Sequence, residues 1–144
     1  MLKSPSALLF SAALFSTASH AVILDQQWGS WFGTISAMEF EINTDNASNE
    51  RLTLTCTGGH LALAYSVPAE DYRASSETGL AEPGLNIDSK TYSLGEAAFM
   101  ALKNSGDRGQ ITVTSMGQNL SKSFKTAGLR EALQDVTWQE CVSR

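Results

Sequence analysis

The sequence predicts an α+β domain, built from an antiparallel β-sheet of about five or six strands with two helices packed on it. Several segments alternate apolar and polar residues and are separated by Gly- and Asn-containing turns, which is typical of antiparallel strands. Two later segments repeat apolar residues at spacings of three and four, as amphipathic helices do. The chain has two cysteines, Cys56 and Cys141, and a disulfide between them would tie the C-terminal helix to a strand far upstream.

The first 21 residues have the pattern of a secretory signal peptide. Lys3 precedes an apolar stretch at 7–15, and small residues at 18–21 offer a cleavage site before Val22. We therefore predict a periplasmic or secreted protein in which residues 22–144 form a single domain. The alternative is a retained N-terminal anchor. After cleavage no segment is long and apolar enough to cross a bilayer, so no integral membrane segment is expected.

Export also bears on the state of the cysteines. Disulfides form and persist in oxidising compartments, which favours a Cys56–Cys141 bond in this chain. The alternative is two free thiols, with Cys56 acting as a small buried hydrophobic residue.

The acidic composition argues against two classes of partner. The full chain has a net charge of −5, which becomes −6 once Lys3 leaves with the signal peptide. No cluster of Lys and Arg interrupts this balance, and binding to nucleic acid or to an anionic membrane relies on one. We therefore expect neither of these partners and favour a protein partner.

The mature chain begins with a segment that carries two tryptophans, Trp28 and Trp31, with Gly29 between them. We interpret it as an irregular segment or an edge strand that packs on the body of the domain. If both rings are exposed they form a partner-binding site, because aromatic rings give large contact area at a low entropic cost. The alternative is that both rings cover the open end of the core.

Three strands follow at 38–42, 51–56 and 60–67. Each alternates along its length, so that one face is apolar and the other carries residues such as Glu41 and Thr53. Gly58-Gly59 supplies the positive φ values of a tight hairpin turn between the second and third strands. The alternation places Cys56 on the core face beside that turn, where a later helix can reach it.

Residues 68–83 are polar and show no periodicity, which predicts a long surface loop. Loops of this kind carry a disproportionate share of functional residues. Acidic side chains, including Glu70 and Asp71, lie here next to Tyr72 and Arg73. A short strand with a turn at Asp88-Ser89 is expected to follow at 85–92.

The C-terminal half predicts two helices separated by a pair of strands at 109–116 and 120–125. Ser93 and Glu96 match the capping box that begins a helix, and Thr126 can cap the last helix. Apolar residues at helical spacing define the buried stripes of the two helices: Ala98, Phe99 and Leu102 in the first, and Leu129, Ala132, Leu133 and Val136 in the second.

Nothing in the sequence matches a catalytic or metal-binding pattern. His60 is the single histidine left after signal cleavage, and no His/Cys/Asp/Glu spacing of a metal site accompanies it. The Gly-x-Ser-x-Gly element of serine hydrolases does not occur. The carboxylates of Glu39 and Glu41 project from a solvated strand face. We therefore predict a protein without enzymatic activity, cofactor or metal.

The order of these motifs resembles two families of small exported bacterial proteins, the VasI-like proteins associated with type VI secretion and the invasion-associated locus B-like proteins. The likeness spans residues 38–141. The residues that carry it are Cys56, Ile87, Asp88, Phe124, Gly128, Leu129, Ala132, Leu133 and Cys141. The resemblance implies a non-enzymatic periplasmic or surface-associated protein. The tryptophan pair and the acidic 68–83 segment depart from both families.

The predicted function is a non-catalytic, exported protein-binding module that is accessory to an envelope, secretion or host-association system. The predicted partner-binding surface combines the N-terminal tryptophans with the acidic segment, and comprises Trp28, Trp31, Glu70, Asp71, Tyr72 and Arg73. One alternative is an exported inhibitor or immunity protein, whose acidic loop enters the basic active-site cleft of a toxin or hydrolase. Another is a small hydrolase that uses His60.

Overall fold

The computed structural model describes residues 25–36 and 39–142, and these share one hydrophobic core. They form two antiparallel sheets and three short helices, which confirms the predicted α+β class. The predicted signal peptide, the cleavage site before Val22 and the predicted strand residue Met38 lie outside the described residues.

The first sheet is a six-stranded meander in which each strand pairs with the next one along the chain. Its strands are β1 (Gln26–Trp28), β2 (Trp31–Ile35), β3 (Phe40–Asp45), β4 (Arg51–Thr57), β5 (His60–Val67) and β6 (Tyr72–Ser75). The period-two alternation decides the two faces. Apolar side chains such as Ile42, Leu54 and Leu63 are buried on the inner face, and the polar side chains lie on the outer face.

The second sheet is built from the strands that follow, which are β7 (Pro83–Ile87), β8 (Lys90–Ser93), β9 (Gln110–Ser115), β10 (Gln118–Asn119) and β11 (Phe124–Lys125). Its order is β10-β9-β7-β8, with β11 also pairing with β9. The turn predicted at Asp88-Ser89 is confirmed. Both residues have positive φ, 50° and 74°, as a tight hairpin turn requires.

The helices are α1 (Glu96–Lys103), α2 (Leu129–Leu133) and α3 (Trp138–Val142). All residues of the two predicted apolar stripes are buried. The predicted caps are wrong, because no side chain caps α1 or α2, and Gly95 and Gly128 hold the two N-cap positions. The Thr126 hydroxyl donates instead to the carbonyl of Gly106.

The last helical segment is split at residues 134–137, and the split has a local cause. The Thr137 hydroxyl accepts a hydrogen bond from the Glu140 N–H at 3.1 Å, while Glu140 Oε1 accepts one from the Thr137 N–H at 2.9 Å. This reciprocal pair is a capping box, which begins a new helix rather than extending the previous one. The resulting α3 carries Cys141 onto β4 and β5.

The predicted disulfide is confirmed. Cys56 in β4 and Cys141 in α3 are bonded, with their Cα atoms 5.4 Å apart and a sequence separation of 85. Both residues are buried, with 0% and 2% of their surface exposed. The bond therefore ties the C-terminal helix to the middle of the first sheet from inside the core.

Glu50 joins the first sheet to the second. Its carboxylate accepts hydrogen bonds from the Tyr65 hydroxyl, from Asn46 Nδ2 at 2.8 Å and from the Lys122 N–H at 2.8 Å. Burial raises the pKa of Glu50, but these hydrogen bonds outweigh it and leave the pKa below the ordinary value of 4.5. Burial, followed by the bond to Glu50, raises the pKa of Tyr65.

None of the helices in the described part of the chain is both long enough and apolar enough to cross a bilayer.

Candidate functional surface

The side of the first sheet that faces away from the core forms a shallow cleft of about 420 Å³. We call this surface the outer face. Strand pairing arranges its side chains in cross-strand rows, because residues directly opposite one another project to the same side. The three rows are Asp45, Arg51, Ser66 and Arg73; Asn43, Thr53, Ala64 and Ser75; and Glu41, Thr55 and Ala62. The first row makes one end of the face basic, and the last row makes the other end acidic.

Two arginines behave differently at the basic end. Arg51 donates two hydrogen bonds to the Asp45 carboxylate, at 2.6 and 2.9 Å, and its guanidinium lies 5.1 Å from the centre of the Phe32 ring. The bond to Asp45 raises the pKa of Arg51, against the effect of burial. Arg73 is exposed and has no hydrogen bond or ion pair within residues 25–36 and 39–142. Arg73 is thus the guanidinium available to a ligand.

The acidic end contains Glu41 and Glu77. Glu77 Oε1 lies 2.6 Å from Nε2 of His60, and more than half of each of these two side chains is exposed. Glu41 is exposed and has no side-chain partner within the described ranges. Glu41 is therefore the carboxylate available to a ligand, while Glu77 is shared with His60.

The middle of the outer face carries short side chains and is polar. Ala62 and Ala64 leave space because their side chains end at Cβ, and the Thr53 hydroxyl donates to Asn43 Oδ1 at 2.6 Å. This bond fixes the orientation of both polar side chains. The result is a mainly polar floor, bordered by the half-buried Phe32 ring of β2, between a guanidinium at one end and a carboxylate at the other.

Within the described residues, the structure does not assemble a catalytic or metal centre around His60. No group of three His, Cys, Asp or Glu side chains there could hold a metal ion. Glu77 occupies Nε2, and no hydroxyl or thiol of the described side chains bonds to the other ring nitrogen, as a nucleophile activated by His60 would.

The structure does not bring the residues of the predicted partner surface together. Trp31 has 0% of its surface exposed, and its indole N–H donates to the carbonyl of Lys125 at 3.0 Å, so it is a core residue. Trp28 is half-buried against the same core. The core interpretation of the tryptophan pair therefore holds for Trp31 and, in part, for Trp28.

Residues 68–83 do not form the predicted long loop. A 3-10 turn at Pro68–Glu70 leads directly into β6, which pairs with β5, and β7 begins at Pro83. The loop prediction failed because β6 is short and polar, as an edge strand with one wet face can be.

The fold also separates the residues that were expected to act together. Tyr72 and Arg73 are neighbours in β6, so their side chains lie on opposite faces, and the Tyr72 ring packs edge-on against Tyr65 at 6.0 Å. Glu70 and Asp71 are exposed at the corner before the strand. Trp28 lies in β1, at the opposite edge of the sheet from β6. The two strands are five strand spacings apart, or about 24 Å. Of the six predicted residues, Arg73 is the one on the outer face.

The outward-facing polar residues of the alternating strands are the sequence signal that could have located this surface. The alternation predicts that Glu41 and Thr53 face outward, and the prediction for Glu41 is a solvated carboxylate. What the sequence lacked was the register of β3 to β6, which aligns these residues with Arg51 and Arg73 on one face.

No protein-family model, curated protein or solved structure matches this chain.

Proposed function

We propose that the chain is a non-catalytic, exported protein-binding module and that its partner lies across the outer face. The observation that carries this proposal is the combination of an uncovered sheet face with a free guanidinium at one end and a free carboxylate at the other. Arg73 and Glu41 are both exposed, and the other face of the same sheet carries the core. A flat polar floor with opposite charges at its ends suits a peptide chain, whose side chains can match both charges.

The geometry selects an extended segment as the occupant. Arg73 and Glu41 lie three strands apart and four residues apart along the strands, which separates them by about 20 Å diagonally. An extended chain covers that distance with about six residues at 3.3 Å each. We therefore propose that the partner offers an extended segment with an acidic residue for Arg73 and a basic residue for Glu41.

The disulfide and the sequence support the exported setting of this proposal. A buried bond between Cys56 and Cys141 suits an oxidising compartment, and the first 21 residues have the pattern of a signal peptide. The resemblance to VasI-like and invasion-associated locus B-like proteins suggests a role accessory to an envelope, secretion or host-association system. That role remains a prediction.

The test is capture of a partner by immobilised wild-type protein, followed by binding measurements with the purified partner. Arg73→Glu should lower the affinity at least tenfold, because the variant places a second carboxylate opposite an acidic group. The matched control is Lys125→Glu, which changes the net charge equally but lies on β11 of the second sheet. Replacing the acidic residue of the partner segment with a basic one should restore binding to the Arg73→Glu variant.

Equal losses in the two variants would mean that net charge, rather than the outer face, controls binding. Unchanged affinity in Arg73→Glu would refute the proposed surface.

No specific observation favours either of the two alternative functions. Insertion into an active-site cleft needs a projecting loop, and residues 68–75 of the acidic segment are folded against the sheet edge as a 3-10 turn and a strand. A hydrolase using His60 needs an activated nucleophile, and among the described residues His60 bonds to Glu77 instead.

A further inference from the structure

A second cleft, on the outside of the second sheet, has a chemistry unlike that of the outer face. Its volume is about 430 Å³, within the range of about 300–1,000 Å³ typical of small-ligand sites. We name it the amide cleft, because planar polar side chains line it: Asn86, Asp88, Arg108, Gln110 and Asn119. They come from β7, β9, β10 and the residues next to these strands.

The alternation of two strands creates this cleft. In β7 and β9 the apolar residues Ile87 and Ile111 are paired and buried on the inner side. Asn86 in β7 and Gln110 in β9 are their immediate neighbours in sequence, so their side chains project to the other side, while Asp88 lies in the turn after β7. Strand register therefore places Asn86 and Gln110 on the same side of the sheet, and the turns next to β7 and β9 add Asp88 and Arg108.

Internal hydrogen bonds orient three side chains of the amide cleft and leave part of each free. Asn119 Oδ1 accepts from the Thr112 hydroxyl at 2.9 Å, which leaves its Nδ2 group as a donor. Asp88 Oδ1 accepts from the Gln110 N–H at 2.9 Å, which leaves Oδ2 as an acceptor. Asn86 donates to Thr91 at 3.5 Å, which leaves its Oδ1 as a second acceptor.

The two charged groups indicate the charge of the ligand. Arg108 and Asp88 line the same cleft, so an anion would meet the carboxylate and a cation would meet the guanidinium. A neutral ligand avoids the repulsion that an anion would experience from Asp88 and a cation from Arg108. If it also carries many groups that both donate and accept hydrogen bonds, it can use the free donors of Asn119, Gln110 and Arg108 together with the free acceptors of Asp88 and Asn86. Sugar hydroxyls have this property.

We propose that the amide cleft binds a neutral oligosaccharide. This inference is independent of the protein-binding proposal, because the amide cleft and the outer face share no residue.

The experiment is a titration of the full mature protein with neutral hexasaccharides of glucose, mannose and N-acetylglucosamine, followed by ¹⁵N NMR. The side-chain amide signals of Asn86, Gln110 and Asn119 report directly from the cleft. We expect at least one of these sugars to shift all three signals, and a uronic acid hexasaccharide to bind more weakly. Asn119→Ala should lower the affinity about fivefold, the value of one net hydrogen bond.

The matched control is Gln118→Ala, which removes an exposed amide from the same strand but outside the cleft. Its affinity should equal that of the wild type. The proposal is overturned if no neutral hexasaccharide shifts the three amide signals, if the uronic acid compound binds more tightly, or if Asn119→Ala and Gln118→Ala behave alike. Because Asn119 is exposed and lies in a two-residue strand, both variants should fold.

Discussion

The Cys56–Cys141 disulfide should supply a large part of the free energy of unfolding of this domain. The perturbation is reduction of the wild-type protein, compared with the double variant Cys56→Ala/Cys141→Ala. Both cysteines are buried in the core, and α3 has only five residues, so the bond supplements the contacts of a short helix. Reduction removes this constraint without changing the amino-acid sequence.

The magnitude follows from the length of the closed loop. A separation of 85 residues corresponds to about 4.5 kcal/mol on the chain-entropy model, in which the cross-link restricts the unfolded chain. Typical domains have a free energy of unfolding of about 5–15 kcal/mol, so reduction should remove between about a third and nine tenths of it. With a urea dependence of about 1.5 kcal/mol/M, the midpoint should fall by about 3 M.

The assay is urea unfolding of the oxidised and reduced protein, followed by tryptophan fluorescence. The urea dependence itself should increase on reduction, because the unfolded chain without the cross-link exposes more surface. The double variant should unfold like the reduced wild type and should not respond to the reductant. If the midpoints of oxidised and reduced protein agree within about 0.5 M, the loop-closure argument is wrong for this chain.

Two further predictions concern single residues that hold the sheets together. Gly128→Ala should lower the free energy of unfolding by at least about 2 kcal/mol, since Gly128 has φ +91° and its added Cβ would lie 2.0 Å from the Trp28 carbonyl oxygen. Gly106→Ala is the control, because nothing lies within 4 Å of its added Cβ; equal urea midpoints for the two variants would contradict the strain argument. Glu50→Gln should destabilise the domain by about 2 kcal/mol near neutral pH, because the ionised carboxylate accepts three hydrogen bonds. The folded-state pKa of Glu50 is below 4.5, so this difference should shrink as the pH falls through that lower value, and a difference that stays constant down to about pH 3 would be evidence against it.

The sequence predicted the parts of the fold that depend on local patterns. Alternation located β3 to β5, the Gly58-Gly59 turn and the burial of Cys56, and helical spacing located the buried stripes. These patterns are clear in the sequence because each of these strands and helices buries only one face. The disulfide followed from the cysteine count and the predicted export.

The failures arose where tertiary contacts outweigh local pattern. Ser93 and Glu96 match a capping box, yet α1 begins without one, and the capping box that forms is at Thr137 and Glu140. Strand β6 has too few residues to show a period, so its pairing with β5 could not be seen in the sequence.

The proposed surface differs from the predicted one for a related reason. The prediction groups residues adjacent in sequence, such as Tyr72 and Arg73, although a strand places them on opposite faces. The residues that do share the outer face come from four strands, and their alignment depends on register. Register is set by the turns and by the whole buried face.

The most direct test of the outer face as the partner surface is site-specific photo-crosslinking in cells that export the protein. A photoreactive phenylalanine analogue at Ser66, in the row that contains Arg73, should form a covalent adduct with a protein partner. The same analogue at Thr91, in β8 of the second sheet, should not. An adduct from Ser66 that disappears in Arg73→Glu is the predicted result. An adduct from Thr91 with none from Ser66 would contradict the assignment of the outer face.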